Sequence, residues 1–591
     1  MDPIKRLPRR HGRAGRSERN KAAAPNPQLR RRVLLALLGF AFVAVSSAVF
    51  YRQAVETDYL RDQGERRFLR EAKIPARRGM ILDRNGEPLA VSTPVDTVWA
   101  DPRKLSQHPE SLTPLAGALG LNAAELRERV MSDPKRGFIY LKRRAGFQEV
   151  AAVRDLIESR DLDGIDFESE YRRFYPGVEV FGHVIGFTDI DDRGQEGMEL
   201  AYNSWLSSQP GLRRVIQDGR RRIVEEVEQI RPPHPGKDLT LSLDRRLQFL
   251  AYRELKAAVV ENKAVGGTAV VLDVTTGEVL AMVNQPGYNP NLLTASDGGR
   301  RRNRALTDTM EPGSTVKPLV VAAVLERGLV TPNTRVSTAG GSLRVGSGVV
   351  KDVHSYGTLT VTGIITKSSN VGVVKLAQMM NYESLWKTYD ALGFGRETGV
   401  EFPAETRGHL RNYTKWRLFD HATMAFGYSL SVTAMQLAQA YGVLAADGVK
   451  RPITLVKRET APEETRVFKP ATARAVRAMM ETVVSDQGTA KRASVAGYRV
   501  AGKTGTAKKS SGRHGYTAGR YQSVFAGMIP AGNPRLVMVV MIDEPRGKAY
   551  YGGLVAAPVF AKVMEGAVRL LNIPPDEPSP SMLLAGGQAP Q

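Results

Sequence analysis

The chain has 591 residues, 84 Lys and Arg against 61 Asp and Glu, and no Cys. That length holds several domains with ample core. A composition 42% apolar and 25% charged excludes collagen-like and wholly disordered chains, and the absent thiol excludes disulfide scaffolds, cysteine nucleophiles, Cys-ligated zinc and iron–sulfur clusters. The net charge of +23 would suit nucleic acid, but eleven Lys/Arg against two acids fall in residues 1–32. No dense basic stripe with interleaved aromatics follows, so nucleic acid is not an expected partner.

Val33 to Phe50 reads VLLALLGFAFVAVSSAVF, 18 residues without a charge. With its flanks it nearly matches the roughly 20 residues that cross a bilayer core. It is longer than the apolar part of an ordinary secretion signal, which favours an uncleaved anchor over residues 33–52. The cations before it place residues 1–32 in the cytoplasm and the remainder outside the membrane. Residues 53–75 read as a charged helix leaving the membrane. From Arg77 the texture changes to short strands and turns, with Asp83-Arg84-Asn85-Gly86 as a hairpin turn. Residues 100–160 carry helical stretches, and 165–235 return to strands and loops. Pro232-Pro233-His234-Pro235-Gly236 marks a linker. The expected domains are therefore 53–235 and 236–571, with a disordered tail over 572–591.

The second of these opens with a helical stretch and then a hairpin, Thr268–Asp273 and Glu278–Val283 around a Thr-Thr-Gly turn. It closes with apolar strands at Ser523–Ile529 and Leu536–Ile542. Strands at both ends with helices between them predict an α+β domain whose terminal segments share one antiparallel sheet.

Within that domain Glu311-Pro312-Gly313-Ser314-Thr315-Val316-Lys317 precedes an apolar helical run. Ser314 sits at a helix entrance, where free N–H groups favour developing negative charge. Lys317 lies one turn on, on the same face. A serine hydroxyl needs a base to become a nucleophile, and a desolvated lysine beside another cation is held neutral enough to serve. Ser-x-x-Lys alone is a weak signal, since Ser132–Lys135 and Ser384–Lys387 also match it. Only Ser314 stands between a Pro-Gly turn and a helix. Ser368-Ser369-Asn370 is the one Ser-x-Asn in the chain, and Lys503-Thr504-Gly505-Thr506 the one Lys-Thr-Gly. Alternation along a strand sends Lys503 and Gly505 to one face and Thr504 and Thr506 to the other. Gly505 would let a substrate backbone approach closely.

The three motifs in this order are the signature of penicillin-binding proteins and serine β-lactamases. The sequence resembles the class B penicillin-binding proteins and, within them, the division-specific (septal, FtsI-type) D,D-transpeptidases. Arg78–Gly86, Tyr171–Pro176 and Gly194–Glu199 are similar to that family's pedestal, and Arg302–Ser314 to its division branch.

The resemblance implies a transmembrane helix, an elongated β-rich pedestal of the dimerisation type, and a transpeptidase domain with a central antiparallel sheet flanked by helices. It implies catalytic roles for Ser314, Lys317, Ser368, Asn370 and Lys503. Thr504, Gly505, Thr506, Tyr428, Tyr550 and Tyr551 would bind substrate, and the backbone N–H groups of Ser314 and Thr506 would form the oxyanion hole. Lys508 would add to the cationic end, with Lys509 competing for that place. The implied substrate is a D-Ala-D-Ala stem peptide of peptidoglycan, with β-lactams as inhibitors and no metal or organic cofactor. The implied partners are the membrane, a septal glycan polymerase of the SEDS family and other divisome proteins, at the division septum of the bacterial inner membrane.

Rival readings are an elongation-type class B transpeptidase, a β-lactamase, a bifunctional polymerase–transpeptidase and a non-catalytic divisome scaffold. A β-lactamase would carry Glu-x-x-Leu-Asn between Asn370 and Lys503, and none is present. Residues 53–235 are short for a glycosyltransferase, and the intact motifs argue against a scaffold.

Overall fold

The computed structural model describes residues 27–55, 69–217, 223–510 and 515–577. The chain divides into two compact units, residues 1–72 with 212–230, and 73–211 with 231–591.

In the first unit the apolar run lies in the helix Pro27–Phe50, continued by a π-helical turn over Tyr51–Val55. Among the described residues it is the one helix long and apolar enough to cross a membrane. The helix starts six residues before the uncharged run and takes in Arg30, Arg31 and Arg32. The expected charged helix over 53–75 is corrected at its end: Leu69–Ile74 is a strand, and residues 56–68 lie outside the described residues. That strand joins Gly211–Gln217 and Ile223–Arg231 in a three-stranded sheet. Arg213–Glu226 and Arg214–Glu228 pair across it at 2.8 and 2.9 Å. Cross-strand pairing gives the alternating charges of such a sheet a use that helical periodicity does not reveal. The expected disordered tail over 572–591 is corrected at its start: Ile573 is buried and Asp576 Oδ1 accepts from the Arg499 N–H at 2.8 Å, while residues 578–591 lie outside the described residues.

The second unit begins with the pedestal segment. Asp83 makes the turn expected there: its Oδ1 accepts from the N–H groups of Asn85 and Glu87, and Gly86 takes φ 87°. Pro88–Ala100 is a long strand flanked by Ile139–Ala145 and Ile165–Phe174. Helices Leu112–Leu119, Ala123–Met131 and Phe147–Arg160 close a small core around Val98, Leu115, Leu126 and Val153. The three pedestal-like sequence segments converge on one carboxylate. Glu199 is fully buried and accepts from Arg78 Nε and Arg173 Nε, both at 2.7 Å. Arg78 also reaches the Asp192 carbonyl and Asn203. Pro232–Gly236 is no free linker: the Gly236 N–H donates to the Arg77 carbonyl, and His234 and Gln209 exchange backbone bonds.

The catalytic-type domain is built on five antiparallel strands, β1 Gly266–Asp273, β2 Val279–Gln285, β3 Ala501–Ser510, β4 Tyr516–Ile529 and β5 Leu536–Asp543. Their order is β2-β1-β5-β4-β3, so the two chain ends of the domain meet in one sheet as expected. Every residue of β1 and β5 is buried. Strands buried on both sides read as continuous apolar runs, which is their sequence. Helices Arg245–Glu261 and Ala557–Leu570 pack on the sheet and each other, and Ala434–Ala445 packs on β1, β4 and β5. β3, the Lys-Thr-Gly strand, lies at the edge.

Glu199 balances two buried guanidinium groups, so its removal leaves uncompensated charge in the core. Glu199→Ala should cost about 3–5 kcal/mol of stability, read as a lowered denaturant midpoint. Glu199→Gln keeps the shape and part of the hydrogen bonding and should cost less.

Candidate active site

The nucleophile turn is assembled by close backbone approach. Gly313 to Val316 form a 3₁₀ turn that runs into the helix Lys317–Glu326. Gly313 has φ 55°, a conformation open to glycine, and its N–H donates to the Gly427 carbonyl at 3.1 Å. A Cβ on Gly427 would fall 2.1 Å from the Gly313 oxygen, so the loop carrying Tyr428 can approach only because residue 427 is glycine. From below, Tyr441 of the buried helix donates its hydroxyl to the Thr315 carbonyl at 2.8 Å. Ser314 is half-buried, and its hydroxyl takes part in none of the hydrogen bonds among the described residues.

Lys317 is fully buried, and its Nζ donates to Asn370 Oδ1 at 2.7 Å, to Ser368 Oγ at 3.2 Å and to the Ser368 carbonyl. Lys503, also fully buried, donates to the same Ser368 Oγ at 2.9 Å. One hydroxyl therefore lies between two ammonium-type groups, and no carboxylate among the described residues is bound to either. Burial, then the charge of Lys503, holds the Lys317 amine well below the ordinary lysine range, with Asp352 opposing. Burial alone pushes Lys503 down to about 7. Two adjacent amines in a dry site cannot both hold a proton cheaply. This supplies a neutral amine next to the nucleophile turn at neutral pH.

The Ser-x-Asn turn links two helices, Val361–Lys367 and Asn370–Ala377. Ser368 adopts φ 58° between them, an uncommon conformation for a residue with a side chain. The fixing group is Asp352, just past the short strand Gly348–Lys351. It accepts from the N–H groups of Asn370 and Val371 and from Ser369 Oγ at 2.6 Å. Asn370 Nδ2 donates to the Lys351 carbonyl at 2.8 Å, which turns its oxygen toward Lys317. Sequence reasoning passed over Asp352. Its only sequence signal is a lone acid 17 residues before the serine it caps.

β3 alternates as expected. A Cβ on Gly505 would lie 2.9 Å from Thr315 Cγ2 and 3.0 Å from the Pro312 carbonyl, so this face meets the nucleophile turn, and the expected role of Gly505 is corrected: it admits that turn and not a substrate backbone. On the other face Thr504 is buried with its hydroxyl 2.8 Å from that of Thr489, and Thr506 Oγ1 accepts from the Gly552 N–H at 3.1 Å. An edge strand leaves backbone groups free for an extended peptide to add alongside. The aromatic residues form two clusters. Tyr428 meets Phe426 and Tyr516 edge-on at 5.5 and 5.7 Å. Tyr550 stacks on Tyr521 at 4.2 Å and on Tyr551 at 4.5 Å. Lys509 is bound to Asp543 and Glu544 at 2.8 Å, while Lys508 is exposed.

The other two Ser-x-x-Lys matches are not brought to this place. Ser132 ends a surface helix, and Lys387 pairs with Glu383 on another.

Residues 267–565 match the family described as the penicillin binding protein transpeptidase domain, and residues 73–241 match the penicillin-binding protein dimerisation domain. The chain belongs to the penicillin-binding proteins. It has the class B arrangement, a dimerisation domain followed by a transpeptidase domain, and it is an enzyme of the transpeptidase type. It is 42% identical to a probable peptidoglycan D,D-transpeptidase PbpC of Pseudomonas aeruginosa, over 94% of this chain and 98% of that one. It is also 42% identical to peptidoglycan D,D-transpeptidase FtsI of Escherichia coli K12, over 91% of both. Among solved structures, the transpeptidase domain of Burkholderia pseudomallei penicillin-binding protein 3 is similar at 45% identity and TM-score 0.53, over 57% of this chain and 98% of that one.

The buried lysines make stability depend on pH with a definite sign. A lysine whose pKa falls from 10.5 unfolded to about 7 folded weighs against the fold in full below pH 7. That penalty is relieved as pH rises from 7 toward 10.5, by up to about 1.4 kcal/mol per pH unit. Lys503→Met removes this term. Urea midpoints measured from pH 7 to 9.5 should show the wild type gaining on Lys503→Met as pH rises.

Proposed function

We propose that this penicillin-binding protein cross-links peptidoglycan stem peptides through a Ser314 acyl-enzyme, in the septal wall during cell division. The observation that carries the mechanism is the pair of buried amines on the Ser368 hydroxyl, beside the turn that presents Ser314. Lys317, neutral through burial and through Lys503, takes the Ser314 proton as the hydroxyl attacks the carbonyl of the penultimate D-Ala. The N–H groups of Ser314 and Thr506 receive the charge on the tetrahedral oxygen. Ser368 relays the proton to the departing D-Ala, and Asn370 holds the relay while binding the substrate amide. Lys503 with Thr504 and Thr506 binds the donor carboxylate, which gives Lys503 the counter-ion it lacks and favours its protonated form. Gly505 lets β3 close on the nucleophile turn, and the donor lies along β3 between Tyr428 and the Tyr550–Tyr551 pair. An amine from a second stem peptide then displaces Ser314. β-Lactams mimic the donor and stop at the ester.

The division assignment rests on relatives named FtsI, and on the Arg302–Ser314 segment. We place residues 33–52 in the inner membrane with residues 1–32 cytoplasmic and the enzyme periplasmic. A SEDS-family polymerase and other divisome proteins are the proposed partners, with residues 53–235 as a non-catalytic pedestal and 236–571 as the catalytic domain.

Fluorescent penicillin should label one peptide containing Ser314. Ser314→Ala should abolish the label, whereas Ser132→Ala and Ser384→Ala should keep it. Lys317→Arg cannot act as a base, because guanidinium stays protonated, and its acylation rate should fall by about a thousandfold or more, within the range a positioned base and nucleophile supply together. Near-normal acylation of Lys317→Arg would remove the base assignment. Depletion in cells should give long filaments; round cells would assign the enzyme to elongation instead.

A further inference from the structure

We propose that Glu311 is the acceptor-binding residue of this cleft, holding the ammonium group of the incoming stem peptide and taking its proton. The proposal rests on the transpeptidase reading above and extends it to the second half of the reaction.

Glu311 lies three residues before Ser314, on the segment that forms the nucleophile turn. Its carboxylate reaches the loop and the strand that line one side of the cleft. Oε1 accepts from the Ser429 N–H at 3.0 Å and from the Tyr516 hydroxyl at 3.2 Å. Oε2 is shut off from solvent and has no hydrogen-bond partner among the described residues. A shielded carboxylate normally has a cation, yet none of the ion pairs among the described residues includes Glu311. Tyr428 and Tyr516 are the titratable groups that face it, and both are neutral at pH 7. Burial raises its pKa, while the two hydrogen bonds to Oε1 only partly offset that rise. The mechanism of acylation uses none of this.

An unpaired carboxylate with one oxygen unused, beside Tyr428 and Tyr516, has the chemistry to receive a primary ammonium, and the exposed Tyr516 side chain that shields it would swing aside to admit one. The reaction brings one. The acceptor arrives as R–NH₃⁺ and is no nucleophile until it loses a proton. In the proposed step Glu311 takes that proton and becomes a carboxylic acid. The freed lone pair forms the C–N bond to the acyl carbonyl, and the bond from that carbon to Ser314 Oγ breaks. The second nitrogen proton passes through Lys317 to Ser314 Oγ, which leaves a neutral amide. Glu311 then returns its proton to solvent.

The test uses the full chain in detergent with a small D-alanyl thioester donor, and compares products from one acyl-enzyme. With D-alanine as the amine acceptor and methanol as a neutral one, aminolysis, methanolysis and hydrolysis are read together. Glu311→Gln should lower the aminolysis-to-hydrolysis ratio at least tenfold. The methanolysis-to-hydrolysis ratio should move less than twofold, and Glu311→Asp should retain part of the amine preference. An unchanged aminolysis ratio overturns the proposal. So does an equal fall in methanolysis, which would make Glu311 a support for the nucleophile turn alone. Penicillin labelling of the wild type reads the Ser314 proposal separately. A chain that labels but shows no amine-specific loss keeps Ser314 and loses this role for Glu311.

Discussion

Two lysine amines held in a dry site on one serine hydroxyl are the constraint around which this domain is arranged. Lys317 and Lys503 come from a helix and a strand 186 positions apart in the chain, and both are fully buried. Desolvating two such groups would be prohibitive if both were charged. The fold accommodates them by leaving out the counter-ion and accepting depressed proton affinity. Everything that fixes their distance, from the sheet register to the Tyr441 support under Thr315, serves this one electrostatic arrangement.

The Ser-x-Asn turn holds an uncommon backbone conformation, and its position explains why. Ser368 must face Lys317 and Lys503 at once, at 3.2 and 2.9 Å. A regular helix through residues 361–377 would not aim its hydroxyl there. The chain breaks the helix with Ser368 at φ 58°, restarts it with Ser369 as N-cap, and holds the restart with Asp352. Asp352 thus stabilises a conformation that local sequence preference opposes. Its charge also opposes the downward shift of the Lys317 pKa, so it moderates that amine while holding the turn beside it.

Much of this was legible in the sequence because each motif is local. Pro312-Gly313 before an apolar run marks a turn and helix, and Lys503-Thr504-Gly505-Thr506 in an apolar setting marks a strand whose faces alternate. What stayed hidden is contact between distant segments. Asp352 has no motif of its own, since its meaning lies in two N–H groups on the far side of the Tyr356–Lys367 segment. The same holds for Thr489 beneath Thr504 and for Tyr516 against Glu311. The strand Leu69–Ile74 read as a helix because its charges suit a solvated helical face as well as cross-strand pairing. Glu199 was visible as part of a segment similar to the pedestal, but the two arginines that share it were not.

The contrast between Glu199 and Glu311 shows how burial separates structure from chemistry. Glu199 is closed off with both oxygens bound by Arg78 and Arg173, and no resource remains for a ligand. Glu311 is shielded too, but with one oxygen satisfied by neutral donors and the other by nothing. A fold selected for stability alone would place a glutamine or an apolar residue there, because an unpaired carboxylate opposes folding. The same reasoning applies to Lys317 and Lys503, which lack the anion that a stable core would give them. Lys317, Lys503 and Glu311 are thus three titratable groups without an opposite charge bound to them among the described residues, and the proposed two-step acyl transfer would use them as base, carboxylate anchor and amine receptor.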